Sequence, residues 1–216
     1  MNEKPIVIIG GGGHASVLYD ILMSQKREIL AVISPTKTVN KIFDNILHLK
    51  SDDLILEYSP KKILLVNGIG QLPNSILKKE INKKYISLGY EFESVISDNA
   101  MISSFARFGS GVQIMHGTVI QAGAEIGNHS IVNTKAVVEH DSVIGDYCFL
   151  APNSTICGNV TLGNDVFIGA GSTIIQNLTV GNGSTVGAGA LLTKNLLDGS
   201  VCYPVKAKIM SRENKD

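Results

Sequence analysis

An apolar residue recurs at every sixth position through the C-terminal half of the chain. The positions are Ile96, Ile102, Phe108, Ile114, Ile120, Ile126, Val132, Val138, Ile144, Leu150, Ile156, Leu162, Ile168, Ile174, Val180, Val186 and Leu192, seventeen in unbroken register. Two places before most of them stands a small side chain, such as Ala106, Thr118, Ser130, Ser142, Cys148, Ser154 or Ser184. A fixed short period of this kind predicts a parallel β-solenoid in which each hexad contributes a short strand and a turn. The large aliphatic and the small residue point inward. Three hexads close one triangular coil, so each coil advances the chain by one layer of about 4.8 Å. The seventeen hexads then make between five and six coils. Glycine often follows the apolar position, as at Gly109, Gly127, Gly145, Gly163, Gly169, Gly181 and Gly187. Those glycines are expected to serve turns with unusual backbone angles.

The first ninety or so residues have a different texture. Pro5 to Ile9 reads as a short buried strand that ends in Gly10-Gly11-Gly12-Gly13. His14 to Met23 carries apolar residues at helical spacing. Ile29–Ile33 and Ile63–Val66 read as further strands, the latter running into Asn67-Gly68-Ile69-Gly70. Leu72 to Lys84 has the pattern of an amphipathic helix, and Tyr85 to Leu88 that of a last short strand. Strand, glycine-rich turn, helix, strand is the opening of a doubly wound α/β unit. The chain is therefore expected to hold a small Rossmann-like α/β domain over residues 1–92 and a β-helix over 93–216. The register is lost after Leu192, and the polar end from Ser211 to Asp216 is expected to fray.

Composition narrows the class. The 216 residues include 22 glycines and no tryptophan, which suits a narrow interior filled by aliphatic side chains. Nineteen basic and nineteen acidic residues balance to a net charge of zero. That gives no field to attract nucleic acid or an anionic membrane. The stretch after Met1 is too short for a signal peptide, and no apolar run reaches transmembrane length. The three cysteines, Cys148, Cys157 and Cys202, lack metal-ligand spacing. An odd count without a framework points to reduced thiols and a cytoplasmic protein. Cys148 falls on a small inward position and reads as a buried small hydrophobe.

Two regions carry chemistry. Gly10 to Ala15 satisfies G-x-G-x-x-A between a strand and a helix, where free N–H groups can receive a phosphate. The acidic residue that would hold a ribose hydroxyl at the end of the second strand is missing, and Ser34-Pro35 stands there. That disfavours NAD and leaves a nucleotide or phosphate ligand against a ligand-free tight turn. His14 either donates to the ligand or caps the turn. In the solenoid, His140 sits two places after the inward Val138, at a corner, between Glu139 and Asp141. A neighbouring carboxylate orients an imidazole and raises its basicity, which suits a general base. One coil on lies Gly158, whose bare backbone offers an N–H to an oxyanion. His116 shares the corner offset but has no carboxylate beside it in sequence. His129 is expected to be a solvated surface histidine.

The glycine turn with Gly-Gly-His, the Asn67-Gly68-Ile69-Gly70 segment, the hexads and Asn133 to Asp141 occur together and in order. In this they resemble the nucleotide-sugar acetyltransferases of the bacillosamine and perosamine pathways, relatives of the sialic acid O-acetyltransferases. The resemblance covers nearly the whole chain. It implies a left-handed β-helix, although the usual crossover rule is right-handed. It also implies a homotrimer, acetyl-CoA as donor, no metal, and a UDP- or GDP-linked 4-amino sugar as acceptor in bacterial glycan synthesis. His140 matches the catalytic base and Asp141 its orienting acid. Gly158 matches a position lining the thioester, and Ala170 and Ala188 match the pantetheine channel between subunits. Gly12, Gly13 and His14 match the phosphate turn, with Ser34 and Gly68 beside it in the nucleotide-sugar site. Three departures stand out. Ser34-Pro35 replaces an Asp pair found in many members. Phe149 replaces a second histidine found in some. The closing signature reads Pro204-Val205-Lys206-Ala207-Lys208. The alternatives left open are O-acetylation of a sialic acid-type sugar and a non-catalytic trimeric scaffold that binds nucleotide sugar. A γ-type carbonic anhydrase is disfavoured because spacings of 13 and 11 among His116, His129 and His140 do not bring three ligands to one level.

Overall fold

A computed structural model describes residues 4–35 and 41–205 of the chain. Lys206-Ala207-Lys208 of the closing signature and the Ser211–Asp216 tail lie outside the described residues.

The N-terminal unit holds β1 (Ile6–Ile9), α1 (Gly13–Ser24), β2 (Ile29–Ile33), β3 (Leu47–Leu49), β4 (Leu64–Asn67) and α2 (Leu77–Ser87). The four strands form one parallel sheet in the order β3-β2-β1-β4. Both faces are covered, which is why β1 and β2 read as unbroken apolar runs. Val7, Ile9, Ala31 and Ile33 pack with Ile55, Tyr85 and Tyr90 on one side. Ile6, Ile8 and Val32 pack on the other against Ala15, Leu18, Ile21 and Leu22 of α1. One strand escapes the sequence analysis and one expectation fails. β3, with a polar residue at its centre, carries no apolar run. Tyr85 to Leu88 is not a strand: Tyr85 to Ser87 end α2, and Leu88 caps it. The buried stripe of α2 is Lys78, Asn82 and Tyr85, at helical spacing but mostly polar, so hydrophobic periodicity does not mark it.

Every hexad forms a two-residue strand that ends on the predicted apolar position, from Val95–Ile96 to Leu191–Leu192. Up to the last coil, each strand pairs in parallel with the strand eighteen residues on, as in Ile126↔Ile144 and Val138↔Ile156; Thr185–Val186 pairs with Val201–Cys202, sixteen residues on. The result is a three-sided prism. A seven-stranded docking face starts at Val95–Ile96, a six-stranded open face at Met101–Ile102, and a five-stranded polar face at Arg107–Phe108. Inside, Ile114, Val138, Ile156, Ile168, Ile174 and Val186 are fully buried. Each such side chain contributes about 1.5–3 kcal/mol. The small inward serines stay dry because the next coil satisfies them: Ser130 Oγ donates to Gly145 O at 2.7 Å and Ser142 Oγ to Cys157 O at 2.9 Å. Cys148 is fully buried as expected, and burial pushes its thiol up to about 12, so it is inert.

The outer side of the docking face carries the N-terminal unit. Val95, Ile131 and Phe149 there join the cluster of α1 and the sheet, and Phe149 stacks on Phe167 with ring centroids 5.1 Å apart. Around this apolar centre, Arg27 pairs with Glu93 at 3.2 Å and Lys79 with Asp165 at 2.6 Å.

The glycines after the apolar positions have a different duty from the one expected. None of them has a positive φ. A Cβ on Gly127 would lie 2.5 Å from Gly145 C, and one on Gly145 would lie 2.5 Å from Gly163 O, so these residues let successive coils approach. The left-handed position falls three places after the apolar residue. It is occupied by Gly111, Gly117, Gly123, His129, Lys135, Asp141, Tyr147, Asn153 and onward. The small residue and the left-handed residue are separate requirements of one corner.

Two substitutions separate them. Gly145→Ala should lower stability by about 1–3 kcal/mol through overpacking. Lys135→Gly, which relieves an L side chain at φ +56, should leave stability unchanged or raise it by up to about 1 kcal/mol. Chemical denaturation of the two variants measures both, and equal effects would show that the corners do not distinguish the two positions.

Candidate active site

The glycine turn sits where β1 feeds α1. Gly10 has φ +99 and packs on Gly68, where a Cβ would meet the backbone at 3.1 Å. Gly68 in turn has no room for a Cβ, which would fall 2.6 Å from that of Ala15. These two contacts bring the β1 and β4 loops together. By contrast, a Cβ on Gly12 or Gly13 would meet nothing within 4 Å. Their side-chain-free faces look outward. Gly12 is the N-cap of α1 with no side-chain cap, and among the described residues the N–H groups of Gly11, Gly12 and Gly13 donate to no protein group. That leaves a row of N–H groups at a helix N-terminus, the geometry that can receive an anion.

His14 neither caps the turn nor holds a free proton for a ligand at Nε2. Its Nε2 lies 2.8 Å from Gln113 Oε1 on the docking face. Gln113 Nε2 donates to Asn67 O at 2.8 Å, which turns Oε1 toward His14. His14 therefore donates from Nε2. Burial first, then the Lys78 charge, hold its pKa down at about 4, so the ring is neutral. Beside the turn, at the carboxyl ends of β1 and β2, is a cavity of about 620 Å³ lined by Gly10, Ile33, Pro35, Ser51, Asp53 and Lys84. This is the place where open α/β sheets bind ligands. Ser34 stands next to the lining residues, and its N–H is taken by Leu49 O. The carboxylate at this cavity is Asp53, from a 3-10 segment that the sequence reading did not single out.

His140 projects from the corner between the open and polar faces, as its offset from Val138 predicts. Its Nδ1 lies 2.9 Å from Asp141 Oδ2. With Nδ1–H donating to the carboxylate, Nε2 keeps its lone pair. That nitrogen overlies Gly158 in the next coil, where a Cβ would come within 2.5 Å of it. Asp141 takes φ +59, and its carboxylate occupies the space beside Gly123 in the previous coil, where any Cβ would collide with Oδ1. The pair is thus held between two bare glycines, one above and one below. Gly123 escaped the sequence reading, yet its place eighteen residues before Asp141 was the available signal. Among the described residues the Gly158 N–H makes no hydrogen bond. At the polar–docking corner the same position is filled by an Asn/Asp ladder, for example Asp146 Oδ1 accepting from Asn128 N at 2.6 Å. The histidine corner lacks that ladder and keeps its N–H open.

The other histidines point elsewhere. His116 leaves the docking–open corner, accepts or donates at 2.7 Å to Ser97 Oγ, and lies 3.6 Å from Asp20 of α1. It does have a carboxylate neighbour, supplied across the domain junction rather than along the chain. His129 is not solvated: it is 8 % exposed, stacked on Tyr147 at 5.0 Å, and burial lowers its pKa. The three histidines thus occupy three different corners. Ala170 and Ala188 stack in successive coils of the docking–open corner, both exposed. Within one chain they share no corner with His140. Phe149 lies under the N-terminal unit, away from His140. His140 and Asp141 side chains are 63 % and 68 % exposed, so one protomer offers an open corner rather than a closed site.

Comparisons with known proteins fit this arrangement. The PglD N-terminal domain matches residues 5–84, and the bacterial transferase hexapeptide (six repeats) matches residues 123–158 and 159–194. No curated protein matches the chain significantly. Among solved structures, a histidine-to-asparagine mutant of perosamine N-acetyltransferase from Caulobacter crescentus, in complex with CoA and GDP-perosamine, is 31% identical. That match covers 96% of this chain and 97% of the other, with a TM-score of 0.83. The acetyltransferase domain of PglB from Neisseria gonorrhoeae, in complex with acetyl coenzyme A, is 26% identical over 94% of this chain and 98% of the other, with a TM-score of 0.84. The solenoid is the left-handed parallel β-helix of these acetyltransferases. The chain therefore belongs to the family of amino-sugar N-acetyltransferases that join a PglD-type N-terminal domain to a hexapeptide-repeat β-helix.

Proposed function

We propose that this enzyme transfers the acetyl group of acetyl-CoA to the 4-amino group of a nucleotide-linked amino sugar. The observation that carries the reading is the His140–Asp141 pair, 2.9 Å apart, with its free nitrogen over Gly158. The amine nitrogen attacks the thioester carbon, and His140 Nε2 takes the proton that the nitrogen must lose. The carbonyl oxygen becomes an oxyanion, for which the unbonded Gly158 N–H is the donor at hand. As the C–S bond breaks, the proton on His140 passes to the sulfur and CoA leaves as the thiol. Asp141 fixes the imidazole with Nδ1 protonated and stabilises the imidazolium in between. Residues 1–92 hold the nucleotide sugar, with the diphosphate on the Gly12–Gly13 N–H groups and the base in the cavity beside Gly10, Pro35 and Asp53. Residues 93–216 carry the chemistry. Both a UDP- and a GDP-linked sugar fit this division, and the 31% identical relative was crystallised with the GDP form. The working assembly is a homotrimer, in which Ala170 and Ala188 of a neighbour wall the pantetheine channel over His140. The exposure of the catalytic pair supports this, because ligand sites bury most of their ligand. The unpaired cysteines support a cytoplasmic enzyme.

Release of CoA thiol with a panel of UDP- and GDP-linked 4-amino sugars tests the reaction. Turnover with a sugar hydroxyl instead would shift the assignment to O-acetylation.

His140→Ala should lower kcat by about 10²–10⁴-fold with the oligomer intact. His140→Asn should be nearly as damaging, Asp141→Asn less so, and His116→Ala close to neutral for turnover. Full turnover by His140→Ala would remove the general base from this mechanism.

Gly12→Val should fold normally, because its Cβ has open space, and should raise the acceptor KM at least about tenfold while leaving the acetyl-CoA KM unchanged. If acetyl-CoA affinity falls instead, the two ligands have been assigned to the wrong domains.

Analytical ultracentrifugation should give a trimer. A fully active monomer would show that one chain completes the site alone.

A further inference from the structure

Lys78 is the one lysine in the described residues whose charge has no place to go. It is 3 % exposed, in the first turn of α2. Its Nζ donates to Asn67 O at 2.9 Å, to Gln113 Oε1 at 3.2 Å and to Ile69 O at 3.5 Å. All three acceptors are neutral. No carboxylate pairs with it among the described residues. The start of a helix is its positive end, so α2 adds no compensating dipole. Burial among neutral partners disfavours the charged form of a lysine, so a lysine in such a place calls for something that repays its burial.

The surroundings show what that something is. Lys78 Nζ and His14 Nε2 bond the same Gln113 oxygen, at 3.2 and 2.8 Å, so the two nitrogens are no more than about 6 Å apart. His14 belongs to the first turn of α1, directly after Gly12 and Gly13. The carbonyls that Lys78 holds belong to the Asn67–Gly70 loop, whose Gly68 packs on Gly10 and whose Gly70 faces His14. Lys78 therefore lies under both loops that form the phosphate turn. We infer that Lys78 is the buried counter-charge of the acceptor's diphosphate: the protein leaves it unpaired, and the nucleotide sugar supplies the missing anion when it fills the glycine turn. Lys78 does not reach the ligand. It is a positioning residue that acts through charge and through the Asn67, Ile69 and Gln113 groups it holds in place. The inference rests on the proposed nucleotide-sugar site.

Binding should then draw a proton onto Lys78. Burial has lowered its pKa to about 7 in the free protein, and a nearby diphosphate must raise it. The groups facing it do not confuse the reading. His14 on α1 and His129 on the solenoid both titrate below their usual value, and Tyr147 titrates above its own. Lys79, its neighbour on α2, is paired with Asp165, and Asp146 accepts the Asn128 N–H.

The probes are GDP-mannose and UDP-N-acetylglucosamine, whose diphosphates keep a constant charge from pH 6 to 9 and which carry no 4-amino group. Calorimetry in two buffers of different ionisation enthalpy should show the better-bound probe taking up close to one proton at pH 8 and fewer at pH 6. Its Kd should be flat below pH 7 and rise by up to about tenfold per unit above it. Lys78→Arg, charged throughout, should bind tightly with no such rise and no proton uptake. Lys78→Met should bind at least about tenfold more weakly at pH 6.5 with a flat profile. A flat wild-type profile, or a wild-type rise that persists in Lys78→Arg, overturns the inference even if Lys78→Met fails to fold. If neither probe binds at any pH while acetyl transfer to an amino sugar is still measured, the inference fails and the reaction stands. If both are lost, the proposed function fails with it.

Discussion

Up to the last coil, each residue of the solenoid lies over the residue eighteen places earlier, and this stacking governs what any corner can carry. The chain advances only one strand spacing per coil, so side chains in a column compete for the same volume. Gly127, Gly145 and Gly163 satisfy the constraint by having no side chain at all. The Asn/Asp ladder from Asn128 through Asp146, Asn164 and Asn182 to Asp198 satisfies it by using each side chain to cap a backbone N–H of the coil before. The histidine corner departs from both solutions. There two large polar side chains, His140 and Asp141, sit in one coil because the coils above and below offer Gly158 and Gly123.

The same stacking ties down the backbone of the His140–Asp141 pair although its side chains are exposed. Asp141 N is tied to Ala122 O at 3.0 Å, and Asn159 N to His140 O at 2.9 Å, so the backbone on both sides of the imidazole is stapled to its neighbours. The ring then needs only the Asp141 carboxylate to choose its tautomer. Pre-set geometry of this kind is what lets a base act without reorganisation at the moment of reaction. The exposure that remains faces outward from the prism, where a neighbouring subunit belongs in the proposed assembly.

The N-terminal unit is joined to the solenoid by two different kinds of contact. An apolar patch from α1 meets Val95, Ile131 and Phe149, and a polar knot of His14, Asn67, Lys78 and Gln113 lies at its edge. The first resists separation. The second specifies a single seating, since buried donors and acceptors tolerate no slip. The placement of Phe149 belongs to the first kind: its stacking on Phe167 builds the junction.

The prism, its strands, their inward residues and the His140–Asp141 corner were legible in the sequence, because each depends on spacing along a repeating chain. The β1–turn–α1 start was legible for a similar reason, since glycine run, strand and helix are neighbours in sequence. The duty of Gly127 and Gly145, the carboxylate that meets His116, the burial of His129, and the Lys78–Gln113–His14 knot were decided by tertiary structure alone. Each joins residues of different coils or domains, where nothing local in the chain records the partner. Polar residues buried in helical register, as in α2, present the same face to a sequence reader as solvated ones. Only the sheet and solenoid packed against them show that Lys78, Asn82 and Gln113 are inside.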